Sequence, residues 1–125
     1  MGPEAKLYQK LKTKTPRILW TRIENLSGLG TPDVLGYNNS GHFFTVELKI
    51  AKVNKLKFSP HQIAFHISHP KNTFIIAEAL GPRASKTFPI SMYRGSRIRE
   101  LAASGLKLEA CCLGLEACCL ELLSI

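Results

Sequence analysis

Two acidic residues and one lysine lie at positions where folding alone does not require a charged side chain. Asp33 directly follows Gly30-Thr31-Pro32, Glu47 and Lys49 alternate with apolar residues, and a turn at 38–41 folds Asp33 back towards Glu47. Converging carboxylates repel each other unless a cation lies between them, and hard oxygen ligands suit Mg²⁺ or Mn²⁺. Lys49 could orient a water or stabilise charge on a phosphate. The three residues together predict metal-assisted phosphodiester hydrolysis.

Chance is the alternative explanation for each motif taken singly. Pro-Asp and Glu-x-Lys are common, and Glu47 with Lys49 would then form a solvated strand face with a surface ion pair. The order of the motifs, their place on strands and the basic residues around them favour the catalytic interpretation.

The elements that position these residues follow the order α-β-β-β-α-β-β-α. Pro3 suits the first turn of a helix, and Ser59-Pro60 opens another as N-cap and first helical residue. Alternating apolar residues and turn chemistry define the strands. The fold class is therefore α/β, with a central mixed sheet of about five strands flanked by helices. The predicted helices are 3–14, 60–69 and 97–103, and the predicted strands are 17–24, 32–37, 42–50, 73–80 and 86–93.

A C-terminal tail, residues 107–125, differs from the body, residues 1–106. It contains the tandem repeat LEACCLG-LEACCLE and all four cysteines, and 13 of the 18 residues from Leu108 onward are apolar. A period of seven places Leu108, Leu115 and Leu122 on one helical face. We expect an appended apolar helix that packs these leucines against the body or a partner and keeps its thiols reduced. A recent gene duplication without a selected role would explain the repeat equally well.

The charge distribution indicates a polyanionic partner. Seventeen Lys and Arg against nine acids give a net charge of +8, and residues 1–107 hold all seventeen bases with only six acids. A compact basic body commonly binds nucleic acid, because neutralising phosphates releases counterions. A merely soluble basic surface is the alternative. The sequence has no apolar run long enough for a transmembrane helix and no secretory signal, so we expect a cytoplasmic protein without a membrane partner.

The combined motifs resemble the PD-(D/E)XK nuclease superfamily. The matching stretches are GLGTPDVLGY, FFTVELKI and SPHQ, which reproduce G-x-PD, E-x-K and S-x-x-Q. Within the superfamily the sequence is most similar to small stand-alone VRR-NUC nucleases, many of them carried by phages, which are similar to archaeal Holliday-junction resolvases. The resemblance implies a restriction-endonuclease-like fold for the sheet and its helices. It covers roughly residues 4–105 and leaves the tail unexplained. If the chain is phage-encoded, its place of action is the host cytoplasm.

The resemblance implies a role for each matching residue. Asp33 and Glu47 would ligate Mg²⁺ or Mn²⁺, with the Leu48 backbone carbonyl as a further ligand. Lys49 would position or activate the attacking water. Gln62 would contribute to the site or contact the DNA backbone from the start of its helix.

A third acid is expected from the same resemblance, since many relatives supply one from the first helix. Glu4 is the only acid in that helix, and Glu24, at the end of the first strand, is its rival. Some superfamily members carry Gln-x-x-x-Tyr on the later helix, whereas here His66 follows Gln62 at that spacing. The role of His66 is therefore left open.

The function expected on this basis is a Mg²⁺-dependent DNA endonuclease that selects branched, flapped or junction DNA by shape. A homodimer is expected, because junction cutting needs two sites and a 13.9 kDa body covers little DNA. The alternatives are a non-catalytic nucleic-acid-binding module, a sequence-specific restriction or homing endonuclease, and an interaction protein driven by its apolar tail. The expected phosphate contacts are Lys52, Lys55, Lys57, Arg94, Arg97 and Arg99.

Overall fold

The computed structural model describes residues 2–23, 30–80 and 90–125. These residues form helices and strands that alternate along the chain, in the α/β class that the sequence predicts. The helices are α1 (Pro3–Lys14), α2 (Pro60–Ser68), α3 (Ile98–Ser104) and α4 (Leu115–Leu123), and the strands are β1 (Leu19–Arg22), β2 (Val34–Tyr37), β3 (Phe43–Lys52), β4 (Thr73–Leu80), β5 (Ile90–Arg94) and β6 (Cys112–Leu113).

The strands form one mixed sheet in the order β1-β2-β3-β4-β5-β6. β3 and β4 are parallel, and every other neighbouring pair is antiparallel. A parallel pair needs a crossover, and α2 provides it. The predicted mixed sheet flanked by helices is therefore confirmed, with a sixth strand that comes from the tail.

Two apolar layers cover the sheet. On one face, α1 and α4 pack residues such as Leu7, Leu11 and Leu122 against the β3 side chains Val46 and Leu48. On the other face, α2 and α3 contribute to a second cluster around the β4 residues Ile75 and Ala77. The two layers hold β3 near the centre of the sheet, so Glu47 on this strand lies deep between helices.

The predicted element bounds agree closely with the structure where side-chain periodicity is strong. α1 and β4 begin and end as predicted, whereas the strand predicted over 17–24 spans only Leu19–Arg22 among the described residues. The strand predicted over 86–93 is described from Ile90 onward, and its first four residues lie outside the described residues. No helix in the described parts of the chain is long and apolar enough to cross a membrane.

The prediction of one continuous helix in the tail is wrong. Gly114 has a φ of +83°, a left-handed conformation that interrupts the chain between the two repeats. The first repeat instead supplies β6, which pairs with β5, and only the second forms α4. Leu115 and Leu122 therefore pack in the α1 layer, while Leu108 contacts the opposite cluster. The three leucines spaced by the heptad period therefore do not lie on one helical face.

The tail is nevertheless part of the core, and we expect the loss of its apolar contacts to lower the stability of the fold. Leu122 is fully buried, so Leu122→Ala should lower the free energy of unfolding by about 2–5 kcal/mol in urea titrations. Leu120, in the same helix, is 69% exposed and serves as the matched control, for which Leu120→Ala should change stability by less than about 0.5 kcal/mol. Equal effects of the two substitutions would mean that α4 does not pack on the body.

Candidate active site

Asp33 and Glu47 converge because β2 and β3 pair in a hairpin. Val34 lies opposite Val46, which places the preceding Asp33 beside Glu47 on the neighbouring strand. Asp33 Oδ2 accepts a hydrogen bond of 2.7 Å from the Leu48 backbone N–H. This contact ties the start of β2 to the middle of β3, so the two carboxylates are held together by the backbone of the sheet.

Glu47 is far more buried than a polar strand face would suggest. Only 2% of the residue is exposed, and its Oε1 atom has no hydrogen-bond partner among the described residues. Burial and the adjacent Asp33 carboxylate raise the pKa of Glu47 to about 10, although Lys49 opposes the shift. A buried carboxylate without sufficient partners is costly for folding, and such groups cluster at functional sites.

Lys49 is oriented by contacts from the loop and helix that follow β3. Its Nζ donates a 3.0 Å hydrogen bond to Gln62 Oε1 and lies 5.1 Å from the centroid of the Phe58 ring. The same Gln62 oxygen accepts from the Ser59 backbone N–H, while Ser59 Oγ accepts from Gln62 N. This capping box fixes the first turn of α2, so Ser-x-x-Gln both starts the helix and holds the lysine.

Gly30 permits the close approach of the Asp33 segment to α2. Its φ is +80°, and a Cβ at this position would overlap the His61 backbone and lie 2.5 Å from the Gln62 nitrogen. Only glycine meets both requirements at low cost. The glycine of G-x-PD therefore brings the Asp33 loop against the helix that carries Gln62.

Gly30→Ala is expected to push α2 away from the Asp33 loop and to impair both stability and cleavage. Gly41→Ala is the matched control, because Gly41 has a φ of +83° but would place its Cβ no closer than 3.5 Å to another residue. The control should lose about 1–2 kcal/mol from backbone strain alone. Gly30→Ala should lose more and also lower the rate of DNA cleavage per folded molecule. Similar stability and rates for the two variants would contradict this account of the motif.

Glu4 is the third acid that the structure brings to the pair. Burial and the Asp33 carboxylate raise the pKa of Glu4, and Lys49 acts in the opposite direction. These influences place its carboxylate, in the first turn of α1, within electrostatic range of the candidate site. The rival residue, Glu24, lies outside the described residues.

Two cleft residues, Tyr8 and Arg22, were not anticipated from the sequence. A cleft of about 30 Å³, enough for an ion or a few waters, is lined by these two residues together with Glu4, Asp33, Val34 and Leu48. The Arg22 guanidinium carbon lies 5.8 Å from the centre of the Tyr8 ring. A guanidinium beside an acidic cleft is suited to binding a phosphate.

His66, whose role was open, is a core residue next to the site. Its ring is fully buried, and Nδ1–H donates to the Gln62 carbonyl oxygen over 2.9 Å. Burial lowers the pKa of His66, so the neutral ring is favoured. Its Nε2 has no partner among the described residues. The ring packs close to Gly95, where a Cβ would lie 2.6 Å from it, and so helps to seat α2 on the sheet.

The structure divides the six expected phosphate contacts into two groups. Three of them are exposed lysines between the end of β3 and the start of α2: Lys52 is the last residue of β3, and Lys55 and Lys57 follow it. Arg94 lies 3.7 Å from Glu121, and Arg97 pairs with Glu100. Arg94 is separated from Asp33 across the sheet, because it lies on β5 and the strands β3 and β4 lie between β5 and β2. Arg99 is exposed on α3.

The residues of the candidate site supply some of the oxygen ligands that a divalent cation needs. Among the described residues, no three His, Cys, Asp or Glu side chains are spaced as a complete metal-binding cluster. The unpartnered Glu47 oxygen and the neighbouring Asp33 carboxylate nevertheless form the arrangement of oxygen atoms that a hard cation neutralises. Mg²⁺ keeps several waters and needs only one or two protein carboxylates, so two side chains and a backbone oxygen are sufficient.

Comparison with known proteins bears on the fold. No protein-family model matches the sequence, and no curated protein matches it. Among solved structures, the chain is similar to Hjc, a Holliday junction resolvase from the archaeal hyperthermophile Archaeoglobus fulgidus, with a TM-score of 0.50 and 16% identity over 74% of each chain. The predicted similarity to archaeal Holliday-junction resolvases is thus confirmed at the level of the fold.

Proposed function

We propose that the chain is a divalent-metal-dependent DNA endonuclease that hydrolyses phosphodiester bonds in branched DNA. The observation that carries this proposal is the convergence of Asp33, Glu47 and Lys49 beside the start of α2. One oxygen of the buried Glu47 is unpartnered, and Lys49 is oriented by Gln62. Acids and a lysine in this arrangement are suited to phosphodiester hydrolysis.

In this proposal, Asp33 and Glu47 hold Mg²⁺ or Mn²⁺, with the Leu48 carbonyl as a third protein ligand. The bound cation supplies positive charge that polarises the phosphate and acidifies a water. Lys49 orients the attacking water and stabilises negative charge that develops on the phosphate. Gln62 keeps the lysine in place, and Glu4 contributes a further carboxylate from α1.

Branched DNA is the proposed substrate class because the body of the chain is basic, and basic residues are suited to contacts with the DNA backbone. The described elements form one sheet with covering helices, and backbone contacts made by such a body respond to the shape of the DNA. Lys52, Lys55 and Lys57 are the proposed contacts near the cleaved phosphate, and Arg22 binds a phosphate within the cleft. The resolvase fold of the archaeal protein supports the same substrate class.

The decisive experiment is cleavage of end-labelled duplex, single-stranded, flapped and four-way-junction DNA of shared sequence, each with Mg²⁺, Mn²⁺ or EDTA. We expect cleavage of branched substrates with either metal and none with EDTA. Cleavage of duplex DNA at one sequence would instead identify a sequence-specific endonuclease. Binding without cleavage under every condition would identify a non-catalytic module.

Assembly and origin belong to the same proposal. A homodimer would present two sites to the paired strands of a branched substrate, and sedimentation of the chain with and without junction DNA tests it. The sequence motifs favour a relationship to the VRR-NUC nucleases of phages, and a phage-encoded chain would act in the cytoplasm of the host.

The affinity for a divalent cation is expected to rise with pH. Because the pKa of Glu47 is raised to about 10, the cation-free protein holds a proton on this carboxyl at neutral pH, and binding must release it. The dissociation constant for Mn²⁺ should fall by up to about tenfold for each unit of pH between 6 and 8. Calorimetry in buffers of different ionisation enthalpy measures both the affinity and the released proton. Glu47→Gln should bind weakly and with little pH dependence, and a pH-independent affinity of the unmodified chain would contradict the prediction.

A further inference from the structure

A second buried carboxylate, Glu78, lies outside the candidate site. It is on β4, two residue pairs beyond Leu48 and Ile76, with its side chain 6% exposed. The Lys10 ammonium of α1 donates to Glu78 Oε2 over 2.5 Å. A carboxylate is rarely buried on the apolar face of a sheet unless a specific partner satisfies it. The burial and this directional contact indicate a role in placing α1.

The position of Lys10 on the helix shows what the contact restrains. At about 100° per residue, Leu7 and Leu11 form the buried stripe of α1, while Tyr8 and Lys10 lie on opposite flanks of that stripe. Glu4 lies on the Tyr8 flank, and both line the candidate cleft. Apolar contacts along a narrow stripe resist separation of a helix from a sheet better than they resist rotation about the helix axis, because they are not directional. The Lys10–Glu78 pair is directional and lies on the flank opposite to Glu4.

We propose that Glu78 is a positioning residue for the candidate site. By holding Lys10, it sets the rotation of α1 about its own axis and thereby the place of the Glu4 carboxylate beside Asp33 and Glu47. This inference rests on the proposed function, since it assigns Glu4 to the cation site. Glu78 lies too far along β4 to join that site, and it acts only through Lys10 and α1.

The test is a double-mutant cycle between Glu4 and Glu78, with Mn²⁺ affinity measured by calorimetry and stability by urea unfolding. Glu78→Gln and Lys10→Met should each weaken Mn²⁺ binding by about threefold to tenfold, comparable to Glu4→Gln. In the Glu4→Gln background, Glu78→Gln should have little further effect, because the carboxylate that it positions is already absent. Lys10→Arg should retain the affinity of the unmodified chain.

Lys14 provides the matched control. It lies one turn after Lys10 on the same flank of α1 and is exposed, so Lys14→Met removes the same charge without disturbing Glu78. Its Mn²⁺ affinity should be unchanged.

Several results would overturn the inference. An ion pair that only stabilises the fold would lower unfolding stability in Glu78→Gln while leaving Mn²⁺ affinity unchanged. Additive effects of Glu4→Gln and Glu78→Gln would show that the two residues act independently. Either result leaves the proposed function intact if Asp33→Ala still abolishes cleavage. A chain that binds no Mn²⁺ and cleaves no DNA overturns both.

Discussion

Replacing either Asp33 or Glu47 with alanine is expected to abolish DNA cleavage while leaving DNA binding intact or slightly tighter. Each substitution removes a proposed cation ligand from a site whose two carboxylates are held by the β2–β3 hairpin. The single-turnover rate with Mg²⁺ should fall by at least about 10³-fold. Affinity should not fall, because Asp33→Ala removes a negative charge from the site, and Glu47→Ala removes a carboxyl group that is protonated at neutral pH without a cation. Single-turnover cleavage and a binding titration in EDTA measure the two effects separately.

The two variants differ in their expected stability, which provides an internal check. Glu47 is buried with an unpartnered oxygen, so Glu47→Ala removes a costly group, whereas Asp33→Ala leaves the Leu48 N–H without its acceptor. Glu116→Ala removes an exposed acid from the tail and serves as the control for charge alone. Full cleavage by either site variant would show that the chemistry lies elsewhere.

The sequence predicted those parts of the fold that local patterns determine. Alternation along β3 correctly separated Val46 and Leu48 from Glu47 and Lys49, because side chains of a strand point alternately to its two faces. The Ser59-Pro60 start of α2 was also predicted, since a capping box depends on residues three positions apart. Asp33 and Glu47 were correctly brought together because one short turn joins their strands.

Features that depend on packing between distant segments were not predictable in this way. The depth of Glu47 follows from helices on both faces of the sheet, and Arg22 joins the cleft because Tyr8 of α1 lies beside it. The tail shows the same limit. Its heptad repeat favours a helix, but Gly114 interrupts the chain between the two repeats. The first repeat forms a short strand instead, because it pairs with the open edge of β5. Pairing with β6 satisfies backbone hydrogen-bonding groups on the edge of β5. Those groups would be left to water if the whole tail formed a helix.

Lys49→Ala is expected to separate catalysis from binding more sharply than any other substitution of a basic residue. Its ammonium lies beside the acid pair, where it opposes the upward shift of the Glu47 pKa. The loss of a preorganised charge next to a reacting phosphate should lower the single-turnover rate by about 10²-fold or more. The fold should tolerate the change, because Gln62 Oε1 still accepts the Ser59 N–H and α2 remains capped.

Lys52 and Lys57 supply the comparison, because both are exposed on the segment that continues from β3 towards α2. Lys52→Ala and Lys57→Ala should each weaken DNA binding and reduce its salt dependence by about one phosphate contact, with the single-turnover rate at saturating DNA unchanged. Lys49→Ala should show the reverse pattern, with a slow rate and nearly normal affinity. If Lys49→Ala greatly weakened DNA binding but left the single-turnover rate at saturating DNA unchanged, Lys49 would be a phosphate-binding residue. Another group in the cleft would then orient the water or stabilise the transition state.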